Sequence, residues 1–109
     1  MNRYCFIASR CAVSGTGTQD LYRRAAVLAR SGAAVSIYLV QNGVMASRPQ
    51  VSNALDEAHA QGVRVFADDF SLRERGITAS EMRPFVEPLA VDQWVRHALS
   101  NGAAKLIWH

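Results

Sequence analysis

The sequence holds only two cysteines, three prolines and a single lysine, and it has no long apolar run. Cys5 and Cys11 are six positions apart, so on one extended strand they would share a face yet lie about 20 Å from each other. That is too far for a disulfide, and neither their spacing nor their neighbours make a zinc set. AAVSIYLV (33–40), among the longest apolar runs, is far shorter than the roughly 20 residues of a spanning helix. The opening MNRYCFIASRCA, broken by Ser9 and Arg10, is a poor secretory signal. The expectation is a cytoplasmic chain with no membrane partner. Positive charge is also thinly spread: the eleven arginines and one lysine never run beyond Arg23-Arg24, and the net charge is +3. A nucleic-acid binder gathers its charge into a stripe or loop, so solvated helix faces and ion pairs are expected, with no nucleic-acid partner.

What is present is the balance of a globular protein, 50% hydrophobic and 19% charged. Its 109 residues predict one domain, 1–109, around one core. Strand and helix signals alternate throughout. RYCFIAS (3–9), AVSIYLV (34–40) and VRVFA (63–67) are strand-like, and the second is apolar enough to be covered on both faces. Helical spacing runs from Gln19 to Arg30, where Leu21, Ala25, Leu28 and Ala29 recur and Gly32 is a natural stop. A second helix can begin near Pro49, with Val51, Ala54, Leu55 and Ala58 on one face and Gly62 at its end. Ser71 and Glu74 have capping-box spacing, as do Thr78 and Glu81. FVEPLAV (85–91) reads as a fourth strand whose Pro88 demands an edge or a bulge. Asp92 is the expected cap of a last helix carrying Trp94, Val95, Ala98 and Leu99, and AKLIWH (104–109) closes the sheet. The fold class is therefore α/β, a three-layer sandwich around a parallel five-stranded sheet.

Such sheets collect ligands at the C-terminal ends of their strands. Three segments should meet there: Arg10–Gln19, Gln41–Arg48 and Asp68–Ser71. The adjacent carboxylates Asp68 and Asp69 raise the question of a metal or phosphotransfer site. Paired acids of that kind normally follow the first strand, whereas these follow the third, and the first loop offers no carboxylate before Asp20. A cap or hydrogen-bonding acid at a helix N-terminus is the expected role, with no metal. Ser14, Gly15, Thr16 and Gly17 precede a helix and could cradle an anion, although the stretch is neither a Walker motif nor GxGxxG. Cys11 is the thiol nearest this edge, beside Arg10 and the glycines, and is the candidate for any thiol chemistry. His59, His97 and His109 form no recognisable metal or triad pattern and read as surface residues. Trp94 and Trp108 read as core or subunit-contact residues.

VSIYLVQNGV (35–44), GVRVFADDFSLRERGI (62–77) and the closing KLIWH (105–109) together resemble the DsrE/DsrF/TusD-like proteins, over nearly the whole chain. The resemblance implies a DsrE/F-like fold, a place in intracellular sulfur relay, and homo- or hetero-oligomers such as trimers or hexamers. It also implies a small sulfur-carrier protein as a partner. Sulfur-carrying members place a persulfide cysteine eight residues before the glycine of the Arg-Gly pair. Here that glycine is Gly76, and the position is Asp68. An aspartate cannot hold a persulfide, which needs a thiolate. The reading is thus a subunit acting by oligomerisation and partner binding, without cofactor and without persulfide chemistry at Asp68. One alternative is a sulfur carrier or sulfurtransferase using Cys11. Another is a small-anion or nucleotide-binding module at the strand-end loops, formed by Ser14, Gly15, Thr16, Gly17, Asn42, Gly43, Asp68 and Asp69.

Overall fold

The computed structural model describes residues 2–10, 17–49, 53–100 and 105–109. Five strands, β1 (Arg3–Ala8), β2 (Ala34–Leu39), β3 (Arg64–Asp68), β4 (Val86–Leu89) and β5 (Lys105–Trp108), form one sheet in the order β4-β3-β2-β1-β5. Every neighbouring pair is parallel. The helices are α1 (Gly17–Arg30), α2 (Ala54–Ala60), α3 (Asp69–Glu74) and α4 (Val91–Leu99). Parallel strands need crossovers, and helices supply them. The first three connections step the chain from β1 to β4. The last, through α4, returns it across the sheet to the far side of β1.

Strand alternation divides the core into two unequal layers. Phe6, Val35, Ile37, Leu39, Val65 and Val86 point to the face covered by α1 and α2, where they meet Leu21, Tyr22, Ala25, Leu55 and Ala58. Cys5, Ile7, Tyr38 and Phe66 point to the opposite face, where α4 buries Trp94 and Ala98 on them. Tyr38 and Trp94 stack with ring centroids 4.6 Å apart. β4 is an edge strand, the position its Pro88 requires.

Several elements differ from the sequence expectations. The second helix is described from Ala54, with Asn53 as N-cap, and Val51 lies outside the described residues. α4 begins after Ala90, whose amide hydrogen-bonds the Gln93 side chain at 3.0 Å. Asp92 is therefore the second residue of the helix, in its first turn and paired with Arg96, rather than its cap. The Thr78–Glu81 pair does form reciprocal capping contacts, around the short 3-10 turn Ala79–Glu81.

The stretch after β2 is not an open loop. Gln41–Ser47 winds into a 3-10 helix that buries Val44 and Ala46. It starts at Gln41 with φ of +52°, a left-handed conformation costly for a residue with a side chain. Gly43 lies so close to β1 that a Cβ there would sit 2.0 Å from the Ala8 carbonyl oxygen. Only glycine fits without displacing backbone. Further along, buried Arg83 ion-pairs with Asp56 and donates to the Pro49 carbonyl at 3.1 Å, fastening the segment before β4 to α2.

Candidate functional site

The C-terminal ends of β2 and β3 build a compact polar cluster. Asp68 ends β3 and is the N-cap of α3, its carboxylate accepting from the Ser71 amide at 3.1 Å. The same oxygen accepts from the Ser71 hydroxyl at 2.6 Å, and the other accepts from the Tyr38 hydroxyl at 3.0 Å. Charge-assisted bonds of this kind are the strong class, and here they leave the carboxylate engaged on both oxygens. The Ser71 hydroxyl in turn accepts from the Gln41 amide at 2.9 Å, which holds the left-handed residue in place. One turn on, the Arg75 guanidinium donates to the Asn42 side chain at 3.1 Å and to the Ser71 carbonyl at 3.2 Å. The 3-10 helix and α3 are thus clasped together above the sheet edge.

Tyr38 lies on the α4 face of β2, with its ring under Trp94 and its hydroxyl reaching the edge. Burial comes first in pushing its phenol well above the ordinary tyrosine range. The hydrogen bond to Asp68 and the charges of Asp68, Asp69 and Asp92 add to it. It therefore remains a neutral donor.

Of the residues singled out from sequence, Asp68, Asn42 and Gly43 come together at this edge, but in different roles. Asp68 is a cap and a hydrogen-bond acceptor, and Gly43 permits backbone contact. Asn42 is an exposed partner of Arg75. Asp69 points elsewhere and pairs with Arg73 at 3.0 Å, so the two adjacent carboxylates do not share a partner. Gly17 is the first residue of α1. Cys11, Ser14, Gly15 and Thr16 lie outside the described residues. Among the described residues no three His, Cys, Asp or Glu side chains gather as a metal set.

The Ser71–Glu74 spacing predicts Ser71 as the cap, whereas the cap is Asp68, three residues earlier, and Ser71 donates to it. The Asp-x-x-Ser spacing of 68 and 71 carried that signal. Tyr38 and Arg75, both central to the cluster, had no local signal: each is defined by a residue about thirty positions away in the chain. The histidines are less bland than expected. His59 is exposed but stacks on Phe85 at 4.1 Å, and half-buried His97 packs on Phe66 at 4.8 Å.

No family model and no curated protein matches this chain. Solved structures do. The YchN protein from E. coli superposes with a TM-score of 0.87 at 21% identity, over 100% of both chains. MTH1491 from Methanobacterium thermoautotrophicum, a protein of unknown function, gives 0.82 at 20% identity over 100% of both. BT1422 from Bacteroides thetaiotaomicron, likewise of unknown function, gives 0.74 at 19%, over 97% of this chain and 94% of its own. These likenesses span the fold from end to end.

Proposed function

We propose that this chain is a self-associating DsrE/DsrF-like subunit that acts through oligomerisation and partner binding, in or beside sulfur trafficking, and performs no persulfide chemistry at Asp68. The observation that carries the reading is the unequal cover of the sheet. On the α4 face, β5 carries Leu106 and Trp108 in register with Cys5 and Ile7 of β1, yet they are 54% and 67% exposed. Val91, Val95 and Leu99 form a stripe at i, i+4 and i+8 on α4 and are also exposed. On the helical wheel this stripe and His97 flank the buried Trp94–Ala98 line on opposite sides. His97 leans on Phe66 of β3, so the stripe faces the β1–β5 side, where Leu106 and Trp108 stand uncovered. Several exposed large apolar side chains on one face of a small chain mark an interface. A second copy of the chain fits it, because covering both α4 and β5 supplies the layer that this face lacks.

At the position where the resemblance puts a persulfide cysteine stands a carboxylate whose oxygens are held by Tyr38 and Ser71. It offers no nucleophilic sulfur, and its negative charge opposes an incoming persulfide anion. Native mass spectrometry of the protein from its own cell reports partners, stoichiometry and bound sulfur together. Expected are assemblies of two or more chains, and no adduct of about 32 Da, the mass of one sulfur atom exchanged onto a thiol. After incubation with a persulfide donor, Asp68→Cys should gain that adduct while the unmodified protein stays unloaded. An unmodified protein that loads readily, with Cys11→Ser abolishing the adduct, overturns this reading in favour of a carrier using Cys11.

A further inference from the structure

A second polar concentration lies at the opposite end of the sheet. Cys5, Ser36 and Arg64 stand side by side across β1, β2 and β3, in register and on the α4 face. Arg3 precedes Cys5 by one pleat on the same face. The last turn of α4 brings His97 and Ser100 over them, and together these residues line a cleft of about 460 Å³. A row on the inner face of a parallel sheet is normally apolar, so its polar composition here needs a reason.

One buried donor in the cleft has only a weak acceptor, and another has none among the described residues. Ser36 is 5% exposed, and its hydroxyl donates to the Cys5 sulfur at 3.3 Å, a weak acceptor. Arg3 uses Nη2 to donate to the His97 carbonyl at 3.3 Å, while its buried Nη1 has no partner among the described residues. Buried donors without acceptors are the exception in folded proteins. The charge is equally one-sided. Arg3 and Arg64 both act on His97, and Glu87 is the one acidic side chain among the described residues that bears on it. Glu87 meets Arg64 only at 3.9 Å, with both side chains exposed. The carbonyl end of α4, which would repel an anion, is already occupied at His97 by Arg3 and by the Ser100 hydroxyl at 2.9 Å.

We propose that this cleft binds the phosphate group of a phosphorylated small molecule, with Arg3 and Arg64 as the charged donors and Ser36 as a donor on the floor. Two guanidiniums match a dianionic tetrahedral group in charge and in donor geometry. The volume exceeds what the phosphate alone needs, and lies within the range of small-molecule sites. His97 reports on occupancy. Burial, then Arg64 and Arg3, hold its pKa below the ordinary histidine value, and a bound dianion offsets the two arginines and raises it. The site is remote from Asp68 and does not depend on the proposed self-association.

The probe is inorganic phosphate, titrated into the full chain while the His97 ring is followed by NMR, with sodium chloride at matched ionic strength as the reference. The expected result is a saturable shift with a rise in the His97 pKa. Arg64→Gln, at an exposed side chain, should weaken binding about tenfold, as loss of one charge-assisted contact does. Arg3→Gln should do the same if circular dichroism shows it folded. Arg23→Gln removes an equal charge from an exposed position on α1 and should leave binding unchanged. A shift that is absent, fails to saturate or is reproduced by chloride overturns the proposal. So does Arg64→Gln that binds as well as the parent, or Arg23→Gln that weakens binding equally.

Discussion

The Tyr38 hydroxyl donates to the Asp68 carboxylate at 3.0 Å, across thirty residues of chain. This one contact ties the α4 layer, through the Tyr38–Trp94 stack, to the N-terminus of α3. Removing the acceptor removes both a cap and a tether. Asp68→Ala should lower the unfolding free energy by about 1–2 kcal/mol, the range of a lost N-cap. Asp68→Asn, which keeps an acceptor for the Ser71 amide, should lose less. Urea unfolding of the two variants checks the order.

Burial of Tyr38, together with this contact, sets an alkaline limit. The folded pKa of Tyr38 is raised, so its contribution is complete below the unfolded tyrosine value near 10. It is lost as pH rises from there towards the folded value, because the unfolded chain releases the proton first. Thermal melts between pH 8 and 11 should show stability falling above pH 10, and Tyr38→Phe should flatten part of that fall. In neutral buffer the same variant should lose about 1 kcal/mol, the net worth of one hydrogen bond.

Gly43→Ala tests the packing of the 3-10 helix on β1. The added methyl would meet the Ala8 carbonyl at 2.0 Å, so backbone must move. A destabilisation of about 2 kcal/mol or more is expected, in the range of overpacked cores. Equilibrium denaturation of this single variant decides it.

Arg83 is 3% exposed and pairs with half-exposed Asp56. Asp56→Ala removes the carboxylate from a buried guanidinium, and a broken buried pair is costly. Water at the Asp56 side moderates the loss, so about 2 kcal/mol is expected in urea unfolding.

Much of the fold was legible because burial imposes periodicity. β2 reads as a two-faced apolar run, Pro88 marks an edge, and the glycines at 32 and 62 stop their helices in left-handed conformations. The boundaries that slipped depended on competition between nearby polar residues. Ser71 and Asp92 were both credible caps, but Asp68 and Ala90 took those positions. The 3-10 helix was hidden behind the turn-like QNG, because what winds it is the pull of Val44 and Ala46 into the core. At the C-terminal edge the sequence drew attention to Asp68 but not to Tyr38 or Arg75. Partners joined only by the topology leave no mark on local spacing.

Sedimentation velocity at micromolar concentration measures self-association directly, on the parent chain and on Val95→Glu and Trp108→Ser, which alter exposed positions on α4 and β5. The account predicts that the parent sediments as a multiple of its 11.9 kDa chain, and that both variants shift towards the single chain while keeping native circular dichroism. A parent that sediments only at 11.9 kDa contradicts it.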